Sequence, residues 1–370
     1  MRLEMHKIRI KGLAFSEKTC VKDGILCVNK REAEELIAAD TNFSKVSIDF
    51  ACPGDKTRII PVKDAVEPRV KKGKGNYFPG FFAPMGKAGE GETLVLDGAA
   101  VITCGPVVAF QEGFIDMSGP AAPYTPFSET FNIVLSVEPI ADLEKHLYES
   151  ALREAGLKLA VYLARCADEA GAEADEVVVF EKGDTFEESM KYPDLPKILY
   201  VCMNITQGLL HDTYLYAADL RPALPTLIHP NEVLDGAMVS GNCVSACDKN
   251  TTWHNCHNPL VQALYARHGK EINFLGVVPT QESTVLAGKI RAAQMNLSIA
   301  QQLGADGVIV SEEGYGNPDS DLCLNAKNFE NAGIKAVLIS DESAGTDGAS
   351  QSLADSTPEL TGFVSTGNVN

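Results

Sequence analysis

No run of about eighteen consecutive apolar residues occurs in the chain, so the sequence predicts no transmembrane helix. The first thirty residues alternate charged and apolar positions without a continuous apolar stretch, which excludes the pattern of a secretory signal peptide. Positive charge is scarce: 32 Lys and Arg stand against 50 Asp and Glu, a formal charge of −18. Nucleic acid and anionic membranes would repel such a chain, so neither is expected as a main partner. Aromatic residues make up only 7% of the 370 residues, yet 45% of the chain is apolar, enough for ordinary buried cores. At about 100–200 residues per domain, this length allows two or three domains. There is no internal repeat and no low-complexity tract.

Cysteine is not scarce. Ten cysteines without a signal peptide point to a reducing, cytoplasmic setting rather than a disulfide framework. Cys27, Cys104 and Cys202 lie in the apolar runs ILCV, VITC and LYVCM and read as small core residues. The exception is the crowd of Cys243, Cys247 and Cys256, with His254 and His257 beside it.

Two regions differ in pattern. Residues 1–137 read as a β-rich N-terminal domain: Val46, Ile48 and Phe50 alternate, and the Pro53-Gly54-Asp55 turn leads into Ile59, Ile60 and Val62. Asp23-Gly24 between short apolar runs predicts a hairpin turn. Gly73 to Gly91 reads as loop, with Lys71, Lys72 and Lys74 on a solvated face. Within it, GKAGEG lacks the preceding strand and following helix of a phosphate loop. Residues 111–128 are too rich in Gly, Pro and Ser for a regular element.

From 138 to 370 the pattern is that of an α/β domain. A long amphipathic helix begins it, carrying Leu143, Leu147, Leu152, Leu159 and Leu163. Apolar runs at 176–180, 197–202, 272–278, 307–311 and 335–340 then alternate with helical stretches. One of these, 282–303, is expected to turn Leu286, Ile290, Ala293, Leu297 and Ala300 to the core. Continuous apolar strands alternating with helices predict a mainly parallel sheet covered on both faces.

Chemistry concentrates in SGNCVSACDKNTTWHNCHNP, residues 240–259. Gly241 lets the backbone enter conformations that other residues avoid. Cys243 sets a thiol beside the Asn242 carbonyl, and Asp248, Lys249 and His254 supply acid–base groups. Attack by that thiol would convert the peptide bond to a thioester. β-Elimination would then leave a dehydroalanine, which tautomerises and hydrolyses to a pyruvoyl cap with loss of ammonia. Only Cys and Ser combine such a nucleophile with a β-leaving group. The plain alternative is a polar loop joining two elements.

Around that site stand MRLEMHKIRIKGLAFSEKT, FQEGFIDMSGPAAPYTPFS, GNCVSACDKNTTWH, EEGYGNPDSDL and DGASQSLAD. With these the chain resembles, over nearly its whole length, the component B proprotein of the clostridial-type glycine, sarcosine and betaine reductases. The Asn242-Cys243 junction followed by CDKNTT is the most specific part. The resemblance implies two mature fragments, the second opening on a pyruvoyl group derived from Cys243. It also implies a hetero-oligomer with a selenocysteine-containing component B subunit and a small selenoprotein, component A. The substrate would be a small amino acid whose amine is activated as a Schiff base for attack by the selenoprotein. In that scheme Cys243 is the electrophile and His254 or Asp248 handles protons. Members of the family continue past the VSTGN segment, and Cys256 and His257 stand where other polar residues are expected.

Two other readings remain open. The spacing Cys243-x3-Cys247-x6-His254-x-Cys256-His257 offers ligands for zinc, although without a paired knuckle. Cleavage could instead expose Cys243 as the nucleophile of an amide hydrolase. Elsewhere, Glu312, Glu313, Asn317 and Asp319 follow a strand at the end where open α/β sheets place ligands. Glu313, Asn317 and Asp319 are therefore candidate substrate-binding residues, with a turn and helix cap as the alternative. Asp341 and Glu342 share that ambiguity, and His211 and His229 read as core or cap histidines.

Overall fold

The computed structural model describes residues 1–72, 77–81, 88–106, 113–206, 213–241, 249–344, 350–351 and 353–368. Asn242, Cys243, Cys247, Asp248 and His211 lie outside the described residues.

The N-terminal part is built from two larger sheets and a small one. Phe43–Ala51 and Arg58–Val66 belong to a five-stranded sheet with Ala99–Cys104, Phe131–Pro139 and Gly113–Asp116. Cys20–Lys22 and Ile25–Val28 form the expected hairpin, whose Asp23 and Gly24 have φ of 52° and 79°. Both central residues being left-handed is what the twist of a two-residue hairpin requires. The helix Lys145–Glu169 lays Leu152, Leu159 and Leu163 into a core shared with Ile133, Leu135 and Leu96 of the two larger sheets. Leu147, by contrast, is exposed.

The parallel sheet runs Asn273–Gln281, Lys197–Asn204, Gly307–Ser311, Lys335–Ala344 and Phe363–Asn368, with every neighbouring pair parallel. Its spatial order, numbered by position in the chain, is 2-1-3-4-5, that of a doubly wound sheet. The period of two sorts its side chains. Leu199, Val201 and Met203 face Leu322, Ala326 and Phe329 of the helix Asp319–Asn331. Tyr200 and Cys202 face Val261 and Leu264 of the helix Pro259–Arg267, together with Leu3 and Met5 of the N-terminal strand.

Four further expectations change. The stretch 111–128 does contain a regular element, because Gly113–Asp116 is a strand paired antiparallel with Arg58–Val66. The run 176–180 forms the strand Glu176–Glu181, but it pairs antiparallel with Arg2–Arg9 at the edge of a different sheet. Its Val177 and Val179 are exposed, so the run was apolar without being buried on both faces. In the helix Leu286–Gln302 the buried face is Lys289, Ala292, Ala293, Asn296 and Ala300, while Leu286 and Ile290 are exposed. Polar partners explain the shift: Lys289 pairs with Asp321, and the Asn296 amide donates to Asn325 at 3.0 Å. Lys71 is likewise buried rather than solvated, donating to Asp235 at 2.6 Å and Thr93 at 3.1 Å.

Candidate active site

A cavity of about 710 Å³ opens beside the central strands of the parallel sheet. Tyr200 and Ser311, from the two adjacent strands where the chain reverses its winding direction, share a 2.7 Å hydrogen bond there. Open α/β sheets place ligands at this switch point. One wall is Trp253, His254 and His257; the other includes Glu312, Ser340 and Asp341.

The first wall is a short helix, Thr252–Cys256, held by its cap. The Thr251 hydroxyl accepts from the His254 amide at 3.3 Å, and His254 Nδ1 accepts from the Thr251 amide at 3.3 Å. With Nδ1 an acceptor, neutral His254 carries its proton on Nε2. Burial, reinforced by the nearby charge of His257, pushes its pKa down to about 4. One turn on, His257 Nε2 lies 3.0 Å from Glu67 Oε1, and its ring stacks on Trp253 with centroids 4.1 Å apart. Glu67 and Arg69 are buried and ion-paired behind it. Burial works to raise the Glu67 pKa, but the charges of His257 and Arg69 outweigh it and hold it near about 2.

Cys256 is buried, which drives its thiol up to about 12 and makes a thiolate ligand costly. Among the described residues, His254, Cys256 and His257 do not converge as a metal-ligating group. Cys243 and Cys247, the remaining members of the zinc reading, lie outside the described residues.

On the second wall, Glu312 accepts from the Ser340 hydroxyl. Burial, aided by Asp319, Asp341 and Asp321, raises its carboxyl to about 9, so it is a neutral acid at pH 7. The other two acids and the amide singled out after the strand Gly307–Ser311 sit differently. Glu313 is buried and accepts from the amides of Ile205 at 2.8 Å and Asn250 at 3.1 Å, with Lys249 at 4.0 Å. The Asn317 carbonyl accepts from Lys289 at 2.9 Å. Asp319 accepts from the amides of Gly316 and Ala354. His229 caps the helix Pro230–Asp235, accepting from Asn231 at 3.2 Å.

The chain on either side of residues 242–248 is firmly held. The Ser240 amide donates to Thr252 Oγ1 at 2.9 Å, and the Thr252 hydroxyl donates to Asp64 at 2.7 Å. Lys249 donates to Thr213 Oγ1 at 3.0 Å. Tyr200, Glu67 and Asp64 went unnoticed in the sequence because they lie far from the segment they serve. The one local signal was the threonine three residues before His254, a cap pattern.

A doubly wound sheet with an imidazole- and acid-lined cavity at its switch point defines an α/β protein built to hold a small ligand. More particularly, the chain belongs to the glycine/sarcosine/betaine reductase component B subunits, the family whose description matches residues 1–370. It is 51% identical to the glycine reductase complex component B subunits alpha and beta of Acetoanaerobium sticklandii, over 100% of this chain and 86% of that one. It is 50% identical to the sarcosine reductase complex component B subunit alpha of Peptoclostridium acidaminophilum, with the same coverage. The betaine reductase complex component B subunit alpha of that organism is 39% identical, over 100% of this chain and 85% of its own. No solved structure matches the chain. Among the described residues, no helix is long and apolar enough to cross a membrane.

Proposed function

We propose that this chain is a cytoplasmic, self-processing subunit of a reductase complex that removes the amine from glycine, sarcosine or betaine. The Cys243 thiol attacks the Asn242 carbonyl, the thioester eliminates, and residue 243 becomes a pyruvoyl cap. The observation that carries the reading is where the segment 242–248 sits in the chain. In sequence it follows the strand Met238–Ser240 and precedes the helix Thr252–Cys256, whose His254 lines the cavity.

His254 lines the cavity and Lys249 follows the segment in the chain, and both would suit a carbonyl formed from residue 243. His254, neutral with a proton on Nε2, and the Lys249 ammonium are donors to an oxygen rather than nucleophiles competing for its carbon. When formed, the group supplies an electrophilic ketone toward a substrate amine. Of this chain's own residues, Glu312 is proposed as a neutral donor and His254 and Asp248 as proton-handling groups, with Glu313 bracing Asn250. Glu313, Asn317 and Asp319 are proposed to shape the substrate site from behind the Glu312 wall. The selenocysteine-containing component B subunit and the small selenoprotein component A are the proposed partners, in a hetero-oligomer.

Intact mass of the second fragment tests the reading. A species with neither the amine nor the thiol of Cys243 supports it. An intact N-terminal cysteine would move the chain to the amide-hydrolase class, and one uncleaved chain in active protein would end the proposal.

A further inference from the structure

His257 on the cavity wall forms, with Glu67 behind it, an acid–base pair that the self-cleavage chemistry does not use. His257 Nε2 is bound to Glu67 Oε1 at 3.0 Å, and Glu67 is itself ion-paired with the buried Arg69. Arg69 is anchored in turn, donating to the Leu234 carbonyl at 2.8 Å. Trp253 stacks on the His257 ring with planes 17° apart, so the imidazole is fixed both edgewise and by its face. Its side chain is 24% accessible, and it lines the cavity. In the neutral form of the ring, with Nε2–H donating to the carboxylate, Nδ1 is the nitrogen that carries a lone pair. A carboxylate that sets the tautomer and then balances the imidazolium is the arrangement of a general base.

Resting on the function proposed above, we propose that His257 deprotonates the substrate's ammonium group in this cavity, with Glu67 as its positioning residue. Small amino acids arrive as ammonium ions, which have no lone pair with which to attack a carbonyl. In the step, an N–H bond of the ammonium breaks and its electron pair stays on nitrogen. The proton forms a bond to His257 Nδ1, and the Glu67 carboxylate neutralises the resulting imidazolium. No oxidant or reductant enters.

His254 is the weaker candidate for this task, because its Nδ1 already accepts from Thr251 and burial keeps it from taking a proton near neutrality. Among the described residues, the charged and titratable groups near His257 include Glu67 and Arg69 behind it, Lys7 acting on Glu67, His254 beside it, and Tyr200, Glu312 and Asp341 lining the same cavity. The base therefore has one carboxylate bonded to it, with Asp341 and the neutral Glu312 across the cavity.

The test uses the complete reconstituted complex carrying His257→Ala, or His257→Gln should the alanine variant fold poorly. Fragment masses are recorded first. Two fragments of normal mass show that processing is intact, while failure of the unsubstituted chain to be processed would be a failure of the functional reading alone. Turnover of a primary- or secondary-amine substrate should fall about 10²–10⁴-fold in kcat, the usual contribution of a general base. Added imidazole should partly restore the alanine variant, and Glu67→Gln should shift the acid limb of the kcat profile with little change in KM. A quaternary substrate has no N–H to lose, so any turnover of betaine should be indifferent to the substitution. Amine turnover within threefold of the parent in a processed variant, or equal losses with betaine, would overturn the assignment.

Discussion

Thr252 and Asp64, 188 residues apart, are joined by two hydrogen bonds: the Thr252 amide to Oδ1 at 2.9 Å and its hydroxyl to Oδ2 at 2.7 Å. The same hydroxyl accepts from the Ser240 amide at 2.9 Å. One buried side chain thus ties together the strand before residues 242–248, the helix after them and the five-stranded N-terminal sheet.

Thr252→Val should therefore damage more than a surface contact. It leaves the Ser240 amide and an Asp64 oxygen without that partner in a buried setting, at a cost of about 1–3 kcal/mol. Urea unfolding of the Cys243→Ala single chain measures this without the complication of two fragments. We expect a lower midpoint for Thr252→Val and near-parental behaviour for Thr252→Ser. A valine variant as stable as the parent would mean that this linkage contributes nothing.

Cleavage after Asn242 should not separate the halves. Lys197–Asn204 precedes the cut, yet it is hydrogen-bonded between Asn273–Gln281 and Gly307–Ser311, which both follow it. Parting the fragments would strip both edges of that strand and expose Leu199, Val201 and Met203, all buried. Processed protein should run as one species on a sizing column and as two under denaturing electrophoresis. Two species without denaturant would contradict the shared sheet.

How much of this was legible in the sequence depended on locality. The runs 197–202, 272–278, 307–311 and 335–340 revealed their strands because a strand buried on both faces is continuously apolar. The run at 176–180 looked the same, since β-branched residues favour an edge strand as well as a central one. Phe363–Asn368, rich in Ser, Thr, Gly and Asn, gave no such signal and joins the sheet at its edge. The site was legible only where its groups are neighbours in sequence. His254 and Glu312 could be picked out, whereas Glu67 reaches His257 across 190 residues and carries no local mark.

The depressed pKa of His254 makes a signed prediction about stability. Its folded value is about 4 against an ordinary histidine value of 6.5, so between these limits the unfolded chain binds a proton that the folded chain refuses. Stability conferred by keeping the ring neutral is present above pH 6.5 and is lost as pH falls toward about 4, by up to about 1.4 kcal/mol per pH unit. His254→Asn in the Cys243→Ala chain should flatten that part of the stability curve relative to its parent. His229, lowered to about 3, loses stability over an overlapping range and will leave a residual slope. Identical slopes with and without His254 would show that its ring is solvated.

The last prediction separates the proposed carbonyl from the scaffold around it. Borohydride reduces a ketone to an alcohol, which removes the electrophile while leaving the sheet, the capped helix and the Glu67–His257 pair untouched. Protein reduced before substrate is added should keep its fragments associated and its native elution, but lose turnover of glycine and sarcosine. Labelled glycine present during reduction should instead become fixed to the second fragment, because its amine can condense with the carbonyl and be trapped there. Betaine has a quaternary nitrogen without a lone pair, so it should neither label the fragment nor protect the carbonyl. The paired outcome matters: lost turnover alone could reflect damage elsewhere, whereas label on the second fragment locates the reaction at residue 243. Full turnover of glycine or sarcosine by completely reduced protein would show that the carbonyl takes no part in the reaction.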